Sequence, residues 1–327
     1  AGLSGLTVAT RLQHDYQVTV FEKSRGVSGR MSTRKAGGYA FDHGAQYFTA
    51  QDKRFKDFLK QAVSHGILTP WHEDITLLSG LDDTPGQSNA APAKEKYLAS
   101  PTMTALCKHL AKTLNVIKER QVETLKWHEK QWLLFDKTGV SHGPFDLVVC
   151  AIPQPQFVQI AGHYMHQDDA LDRVRMSGCY SLRIGVPSLA IPEFKAARVH
   201  DSPIGWIAVN SAKPGRDTAP SLIAQSTNEW AEQHLETDVN RVQEILLSEL
   251  GRLSGNDYSK SEYIQLHRWR YAFVVEPLGK SFYVHPELPL AACGDWCLGP
   301  RVEGAYLSGL ELAEAVIEGL WAEVNPR

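Results

Sequence analysis

The stretch AGLSGLTVATRLQ, residues 1–13, decides the fold, because it has the form of a phosphate-binding loop that leads into a helix. It matches the x-G-x-x-G part of a G-x-G-x-x-G motif, with Gly2 and Gly5 as its glycines. Glycines let the backbone approach a diphosphate, and a helix N-terminus offers free N–H groups and a partial positive charge. The first glycine of such a motif, and the strand that feeds it, would precede Ala1. The match alone therefore also fits a chance helix start rich in glycine and serine.

A carboxylate farther along the chain supports the phosphate-loop interpretation. A dinucleotide site needs an acid at the end of its second strand, about 20 residues after the loop, to bind ribose hydroxyls. Glu22 stands about 20 residues after Gly2, in the predicted buried strand YQVTVFEK. A glutamate there, rather than a cationic residue, favours a ribose with a free 2′-hydroxyl. A solvated glutamate at a strand end is the alternative interpretation.

Length, charge and cysteine content limit the class of protein. The chain has 327 residues, enough for two domains, and a net charge of −3. This charge predicts no general attraction to nucleic acid or to an anionic membrane, and no apolar run reaches the ~18 residues of a membrane span. An odd number of scattered cysteines fits a reducing cytoplasm, and their spacing predicts no metal site. The cysteines are Cys107, Cys150, Cys179, Cys293 and Cys297.

The order of the predicted elements indicates a discontinuous nucleotide domain with a second module inserted. The helix and strand at the start of the chain form only part of such a domain. The strand LPLAACGDW and the helix VEGAYLSGLELAEAVIEGL, near the end of the chain, complete it. Between about residues 155 and 285, alternating strands with one long helix predict an antiparallel sheet. GLDDTPGQSNAAPAK is predicted to be a surface loop or hairpin tip. Ser100 and Pro101 are predicted to be the N-cap and first residue of a helix.

Two charged residues next to glycines add to the predicted site. Arg30 follows Ser28 and Gly29 in a flexible loop, and a guanidinium can neutralise a diphosphate with two hydrogen bonds. Asp295 follows Gly294 at the end of the last predicted strand, where a carboxylate can bind sugar or ribityl hydroxyls. A surface arginine and a turn aspartate are the plainer alternatives.

With these motifs in order, the chain resembles the FAD-dependent oxidoreductases of the flavin-containing amine oxidase superfamily. The resemblance covers nearly the whole chain. It implies an α/β fold of two domains: a glutathione-reductase-type, Rossmann-like FAD/NAD(P)-binding domain and an inserted antiparallel-sheet substrate domain. It also implies that about one strand's length precedes residue 1. The motifs HGAQYF, WIAVNSAKPGR, HRWRYA and GDWCLGPRVEGA are most similar to the bacterial renalase-like branch. The implied division is 1–55, 97–160 and 272–327 for FAD, and 56–96 and 161–271 for substrate.

The resemblance also implies roles for individual residues. In this fold the flavin does the chemistry, so no side chain is predicted to be catalytic and no metal is expected. His43 and His267 are acid–base candidates, although a single histidine is more often structural. The substrate-binding residues implied are Tyr47, Trp206, Asn210, Trp269 and Tyr271. The cofactor-binding residues implied are Ala1, Gly2, Leu3, Ser4, Gly5, Glu22, Lys23, Gly29, Arg30, Met31, Gly44, Ala45, Gln46, Tyr47, Val122, Gly294, Asp295, Val302 and Glu303.

Three functions stay open at this point. Renalase-like enzymes oxidise 2- or 6-dihydro isomers of NAD(P) to NAD(P)+, with O2 reduced to hydrogen peroxide. Classical members of the superfamily oxidise small amines, and some attach FAD to a cysteine. SGCY at residues 177–180 is similar to an attachment motif, but it lies far ahead of Asp295, so non-covalent FAD is predicted. A non-catalytic FAD-binding protein is the third possibility.

Overall fold

The structure is a computed structural model that describes residues 1–81, 94–165, 169–186, 190–216 and 218–321. The predicted loop GLDDTPGQSNAAPAK falls almost entirely outside the described residues. The helices are α1 (Leu3–Leu12), α2 (Lys53–Ser64), α3 (Ala105–Leu110), α4 (Gln154–Ala161), α5 (Asp169–Arg173), α6 (Asn228–His234), α7 (Val239–Ser254), α8 (Asp295–Leu298) and α9 (Val302–Ile317).

The strands are short in the nucleotide part and long in the inserted part. They are β1 (Thr19–Phe21), β2 (Thr33–Ala36), β3 (Tyr39–Asp42), β4 (Leu68–Trp71), β5 (Thr76–Ser79), β6 (Lys96–Ala99), β7 (Asn115–Ile117), β8 (Val122–His128), β9 (Gln131–Asp136), β10 (Ser141–Phe145), β11 (Val148–Cys150), β12 (Arg175–Gly185), β13 (Ala196–His200), β14 (Ile204–Val209), β15 (Ser221–Ser226), β16 (Tyr263–Glu276), β17 (Tyr283–Val284) and β18 (Leu290–Ala292).

The two ends of the chain meet in a layer of parallel strands and helices. β1 pairs in parallel with β7, and β11 pairs in parallel with β18. Helix α1 packs against α9 so closely that a Cβ on Gly309 would lie 2.4 Å from the carbonyl oxygen of Ser4. Only glycine permits this approach of two helices, and it brings the predicted phosphate loop beside the C-terminal strand–helix unit.

A six-stranded sheet forms the second part of the molecule, in the order β16-β12-β15-β14-β13-β5. All its neighbours are antiparallel except β13 and β5. Successive side chains of a strand point to opposite faces. Leu182 and Ile184 of β12 pack with Val242 and Leu246 of α7, whereas Arg183 between them faces a large cleft. One face of this sheet is therefore a hydrophobic core and the other is a wall of the cleft.

The predicted helix start at Ser100 and Pro101 is wrong. Helix α3 begins at Ala105, and Thr104 occupies its N-cap. The backbone N–H of Ser100 donates to Ile67, and that of Met103 donates to the carboxylate of Asp42. These tertiary hydrogen bonds hold residues 100–103 outside the helix and override the local cap signal.

Within the residues described, no helix is long and apolar enough to cross a membrane. The same part of the chain contains no cluster of three or more His, Cys, Asp or Glu side chains that could hold a metal ion.

Candidate active site

A single continuous cleft of about 2790 Å³ runs between the parallel-strand layer and the six-stranded sheet. Its walls come from segments that are far apart in the sequence: the start of α1, the loop after β1, the strand β16 and the turn before α9. The cleft therefore depends on the return of the chain's end to its beginning, as the order of the elements predicts.

The phosphate loop is built so that backbone, rather than side chains, faces the cleft. Gly2 is the N-cap of α1, in an extended conformation. Gly29 has a φ of +53°, and a Cβ there would lie 3.3 Å from the Cα of Gly2. A Cβ on Gly5 would lie 2.8 Å from that of Ala151 in the turn after β11. Three glycines thus keep open a cradle at a helix N-terminus, which is a common binding geometry for a diphosphate.

Glu22 lies at the end of β1 and faces the same cleft. Its carboxylate accepts a hydrogen bond from the backbone N–H of Ser24 at 2.8 Å. The side chain therefore lies in the cleft as a hydrogen-bond acceptor where the sequence predicts a ribose ligand.

Arg30 and Asp295 form an ion pair across the cleft. The guanidinium donates two hydrogen bonds to the carboxylate, at 2.8 Å and 2.5 Å, and a third to the carbonyl of Ala272 at 3.1 Å. The sequence predicts each of the two residues as a cofactor ligand without predicting the pair. Such a two-point pair fixes both side chains and joins the loop after β1 to the start of α8.

The segment DHGAQY, residues 42–47, passes between the two parts of the molecule. A Cβ on Gly44 would lie only 1.9 Å from the carbonyl oxygen of Arg30, and Ala45 donates to that oxygen at 2.9 Å. From the sheet side, Trp269 donates through its indole N–H to the carbonyl of His43 at 2.8 Å, and Gln225 donates to that of Gly44, also at 2.8 Å. Both carbonyls are held by side chains, so the segment has a fixed position in the cleft.

Asp42, the first residue of this segment, holds it in place through buried polar and charged contacts. Its buried carboxylate accepts from the guanidinium of Arg216 at 2.7 Å and from the hydroxyl of Thr33 at 2.6 Å. The ammonium of Lys213 lies 3.5 Å away and also donates to the Gln46 amide oxygen at 3.0 Å. Burial would raise the pKa of Asp42, but the charges of Lys213 and Arg216 outweigh it and hold the pKa below its usual value. Burial lowers the pKa of Lys213 to about 8.

Two histidines and a tryptophan form a ring cluster on the cleft wall. His43 stacks on Trp269 with ring centres 5.2 Å apart, and His267 meets both rings edge-on, at 5.0 Å from His43 and 4.4 Å from Trp269. Burial, aided by the nearby charge of Arg183, lowers the pKa of His43 to about 3 and that of His267 to about 4. Both imidazoles are therefore neutral at pH 7 and bind protons only weakly.

A second aromatic group lies farther along the same wall. Tyr47 contacts Trp71 and Trp206 with ring centres 5.6 Å from each, and its hydroxyl accepts from Arg198 at 3.3 Å. The indole N–H of Trp206 donates to Gln46 at 3.3 Å. Apolar ring faces with fixed polar edges are suited to hold a planar molecule.

The structure brings most of the predicted site residues to the cleft but leaves two of them in the scaffold. Asn210 is fully buried, accepts from the backbone N–H of Asp42 and donates to the carbonyl of Ala40. The carboxylate of Glu303 accepts the backbone N–H groups of Gln51 and Asp52. Neither of the two lines the cleft. The other predicted residues do, including Lys23, Met31, Val122, Gly294, Val302 and Tyr271.

The charge of the cleft differs from that of the whole protein. Among the described residues, thirteen lysines and arginines line it against four aspartates and glutamates, although the chain has a net charge of −3. Sequence reasoning missed several of these cations, among them Arg183 and Arg198. The available signal for Arg183 was a charged residue inside the apolar, alternating strand SLRIGV.

Cys179, in the SGCY sequence, lies on β12 in the cleft wall. Its sulfur lies 3.6 Å from the carbonyl oxygen of Ser226. Burial raises the pKa of this thiol to about 11, so it is not a thiolate at neutral pH.

Comparisons with known proteins find a family-model match at the start of the chain and relatives along its length. Residues 1–62 match the family model of an NAD(P)-binding Rossmann-like domain. The chain is 25% identical to renalase from Mus musculus over 348 residues, which cover 97% of this chain and 96% of that protein. A shorter match, 40% identical over 106 residues, is to a 4,4'-diapophytoene desaturase from Staphylococcus haemolyticus and covers 29% of this chain and 21% of that protein.

Solved structures share the fold along the whole chain. A cyclohexylamine oxidase from Brevibacterium oxydans superposes with a TM-score of 0.72 at 14% identity, covering 98% of both chains. A protein assigned as a protoporphyrinogen oxidase from Exiguobacterium gives 0.74 at 12% identity, covering 96% of both chains. A putrescine oxidase bound to putrescine gives 0.65 at 12% identity, covering 97% of both chains. At these identities the likeness confirms the predicted two-domain α/β fold.

The full-length similarity to renalase supports a flavin-dependent oxidoreductase, and residues 1–62 match a Rossmann-like NAD(P)-binding domain. Within that class it is a homologue of renalase over almost its entire length. The family resemblance stated from the sequence motifs is thereby confirmed.

Proposed function

We propose that the protein is an FAD-dependent oxidase of isomeric, 2- or 6-reduced dihydro-NAD(P). FAD fits the cleft, because the glycine cradle at Gly2 and Gly29 leaves room for a diphosphate at a helix N-terminus. Glu22 would bind the adenosine ribose, and the Arg30–Asp295 pair would hold the diphosphate and the ribityl chain. When bound, FAD would accept a hydride from the substrate and pass two electrons to O2, which with two protons gives hydrogen peroxide.

The charge of the cleft is the observation that carries the choice of substrate. A dihydronicotinamide dinucleotide is an anion with two phosphates, whereas an amine at neutral pH is an ammonium cation. Thirteen cationic side chains line the cleft against four carboxylates, and two of the cations, Arg120 and Arg270, pair with carboxylates just outside it. The remaining positive excess attracts the dinucleotide and repels the ammonium. FAD itself accounts for only part of this excess, because its diphosphate carries about two negative charges.

The neutral histidines support the same substrate. An ammonium must lose a proton before or during hydride loss, whereas a dihydropyridine is already electron-rich and needs no protein base. His43 and His267 are neutral at pH 7 but bind protons weakly, so they are poor general bases. We propose that they and Trp269 position a planar ring and exclude water from it. Tyr47, Trp206 and Tyr271 would complete the binding surface.

Anaerobic mixing with candidate substrates tests the proposal. Addition of 2- or 6-dihydro-NAD is expected to bleach the yellow flavin band within one turnover, and admission of O2 is expected to restore it with hydrogen peroxide as product. The control is 4-dihydro-NAD, the common isomer, at the same concentration. Bleaching by small amines alone would contradict the proposal.

Amine oxidation is the second candidate, and the structural likeness to a cyclohexylamine oxidase and a putrescine oxidase favours it. A panel of mono- and diamines in the same anaerobic experiment separates the two activities. A protein that binds flavin but is bleached by neither class would be a non-catalytic flavoprotein.

Three further features belong to this proposal. FAD is expected to be bound without a covalent link, because SGCY at residues 177–180 lies far ahead of Asp295 in the sequence. Residues 1–55, 97–160 and 272–327 bind FAD, and 56–96 with 161–271 bind substrate. The protein acts in the cytoplasm, where its cysteines stay reduced.

A further inference from the structure

The cleft wall contains a buried arginine that the fold does not use. Arg183 is only 8% exposed and lies on the cleft face of β12, directly opposite Gln265 of β16 and Ile223 of β15. Its Nε has no hydrogen-bond partner, and within the described residues no carboxylate pairs with its guanidinium. A buried cation without a counterion costs several kcal/mol of stability. Such a group is kept when a ligand supplies the missing charge.

A second arginine faces the same space. Arg34, on β2, is exposed, lines the cleft and makes no ion pair with any described residue. Its charge contributes, after burial, to lowering the pKa of Arg183 and of His267, so the cationic groups lie close enough to interact. Two guanidinium groups that line the same cleft and repel each other are stabilised when an anion lies between them.

We propose that Arg183 and Arg34 form a binding subsite for a phosphate group of the substrate, separate from the site that holds the FAD diphosphate. This inference rests on the proposed function and names the part of the substrate that the six-stranded sheet binds. The placement favours the substrate over FAD. Arg183 belongs to the sheet, and its charge contributes to lowering the pKa of His43 and His267. The glycine cradle and Arg30 lie at the opposite wall with α1 and α8. The guanidinium of an arginine suits a phosphate because it donates two parallel hydrogen bonds.

Binding of inorganic pyrophosphate to the holoprotein, measured by calorimetry, tests the subsite without any turnover. The variant Arg183→Met keeps most of the side-chain volume and removes the charge, and we expect it to weaken pyrophosphate binding at least about tenfold. Arg270→Met is the matched control. It removes a cleft-lining arginine of the same sheet, but one already paired with Glu236 at 2.6 Å. Equal pyrophosphate affinity in Arg183→Met and the wild type would overturn the proposal.

Anaerobic flavin reduction then assigns the phosphate to the substrate. For 2- or 6-dihydro-NAD, Arg183→Met is expected to raise the half-saturating concentration about tenfold or more. The corresponding dihydronicotinamide riboside has no phosphate, so its value should change less than about twofold. A similar rise for both substrates, or loss of FAD from the variant, would contradict the subsite.

Two controls keep the outcomes apart. Arg183→Lys restores a charge without the two-point geometry, and we expect it to recover part of the pyrophosphate affinity. Pyrophosphate binding that depends on Arg183, in a protein that no dihydro-NAD isomer reduces, would sustain the anion subsite and refute the proposed substrate. Reduction of the wild type by dihydro-NAD, together with pyrophosphate binding that does not change in Arg183→Met, would support the proposed substrate and refute the anion subsite.

Discussion

Replacement of Asp42 by asparagine is expected to destabilise the protein by about 3–5 kcal/mol. The substitution keeps the shape of the side chain but removes its charge, and Arg216, whose side chain is fully buried, then lacks a counterion. The cost of an uncompensated buried charge is far larger than that of losing one hydrogen bond. Urea unfolding followed by the fluorescence of the eight tryptophans measures the change in the free energy of unfolding.

The matched control for this prediction is Asp57→Asn on α2. Asp57 also contacts two cations, Lys53 and Lys60, but all three side chains are well exposed, so the loss should stay below about 1 kcal/mol. The double variant Asp42→Asn, Arg216→Met should lose less stability than the two single losses together, because neither charge is then buried alone. If Asp42→Asn costs no more than Asp57→Asn, the buried ion pair does not anchor the segment 42–47.

Replacement of Gly44 by alanine is expected to weaken FAD binding by about tenfold to a hundredfold. The added Cβ would lie 1.9 Å from the carbonyl oxygen of Arg30, so the backbone of one of the two segments must move. Both segments line the cleft, and Arg30 carries the ion pair with Asp295. Overpacking of this kind costs about 1–3 kcal/mol in strain and backbone shifts. Here the shifted backbone belongs to the site, so we expect the cost to weaken FAD binding.

Gly26→Ala is the control for Gly44→Ala. Gly26 lines the same cleft, but no heavy atom lies within 4 Å of the position that its Cβ would take. Flavin fluorescence on serial dilution of each holoprotein gives the affinity, because flavin released from a protein regains its emission. Equal affinities in the two variants would show that close packing at Gly44 does not shape the flavin site.

The elements that carry a strong local pattern were predictable from the sequence. Helix α9 has apolar residues at helical spacing, and α7 is capped by Asp238, whose carboxylate accepts the N–H groups of Asn240 and Arg241. The start of α3 was not predictable, since the N–H of Met103 is bound by Asp42, which is 61 residues away in the sequence. A cap motif contains no information about such a partner.

The residues of the candidate site were likewise predictable only in part. Residues in motifs, such as Gly2 and Glu22, could be proposed as ligands because the chemistry of a diphosphate and a ribose requires them at a set spacing. The pairing of Arg30 with Asp295, and the absence of an ion pair for Arg183 among the described residues, depend on long-range packing. The alternation of side chains along β12 could have shown that Arg183 lies on the opposite face from Leu182 and Ile184. It could not have shown which of the two faces lines the cleft.

The identity of the molecule released on denaturation tests the central claim most directly. The protein is purified, denatured and centrifuged, and the supernatant is analysed by mass spectrometry. The account predicts a yellow protein whose colour passes entirely into the supernatant as intact FAD. FMN in the supernatant, colour that stays in the pellet, or a colourless protein that does not take up added FAD would contradict it.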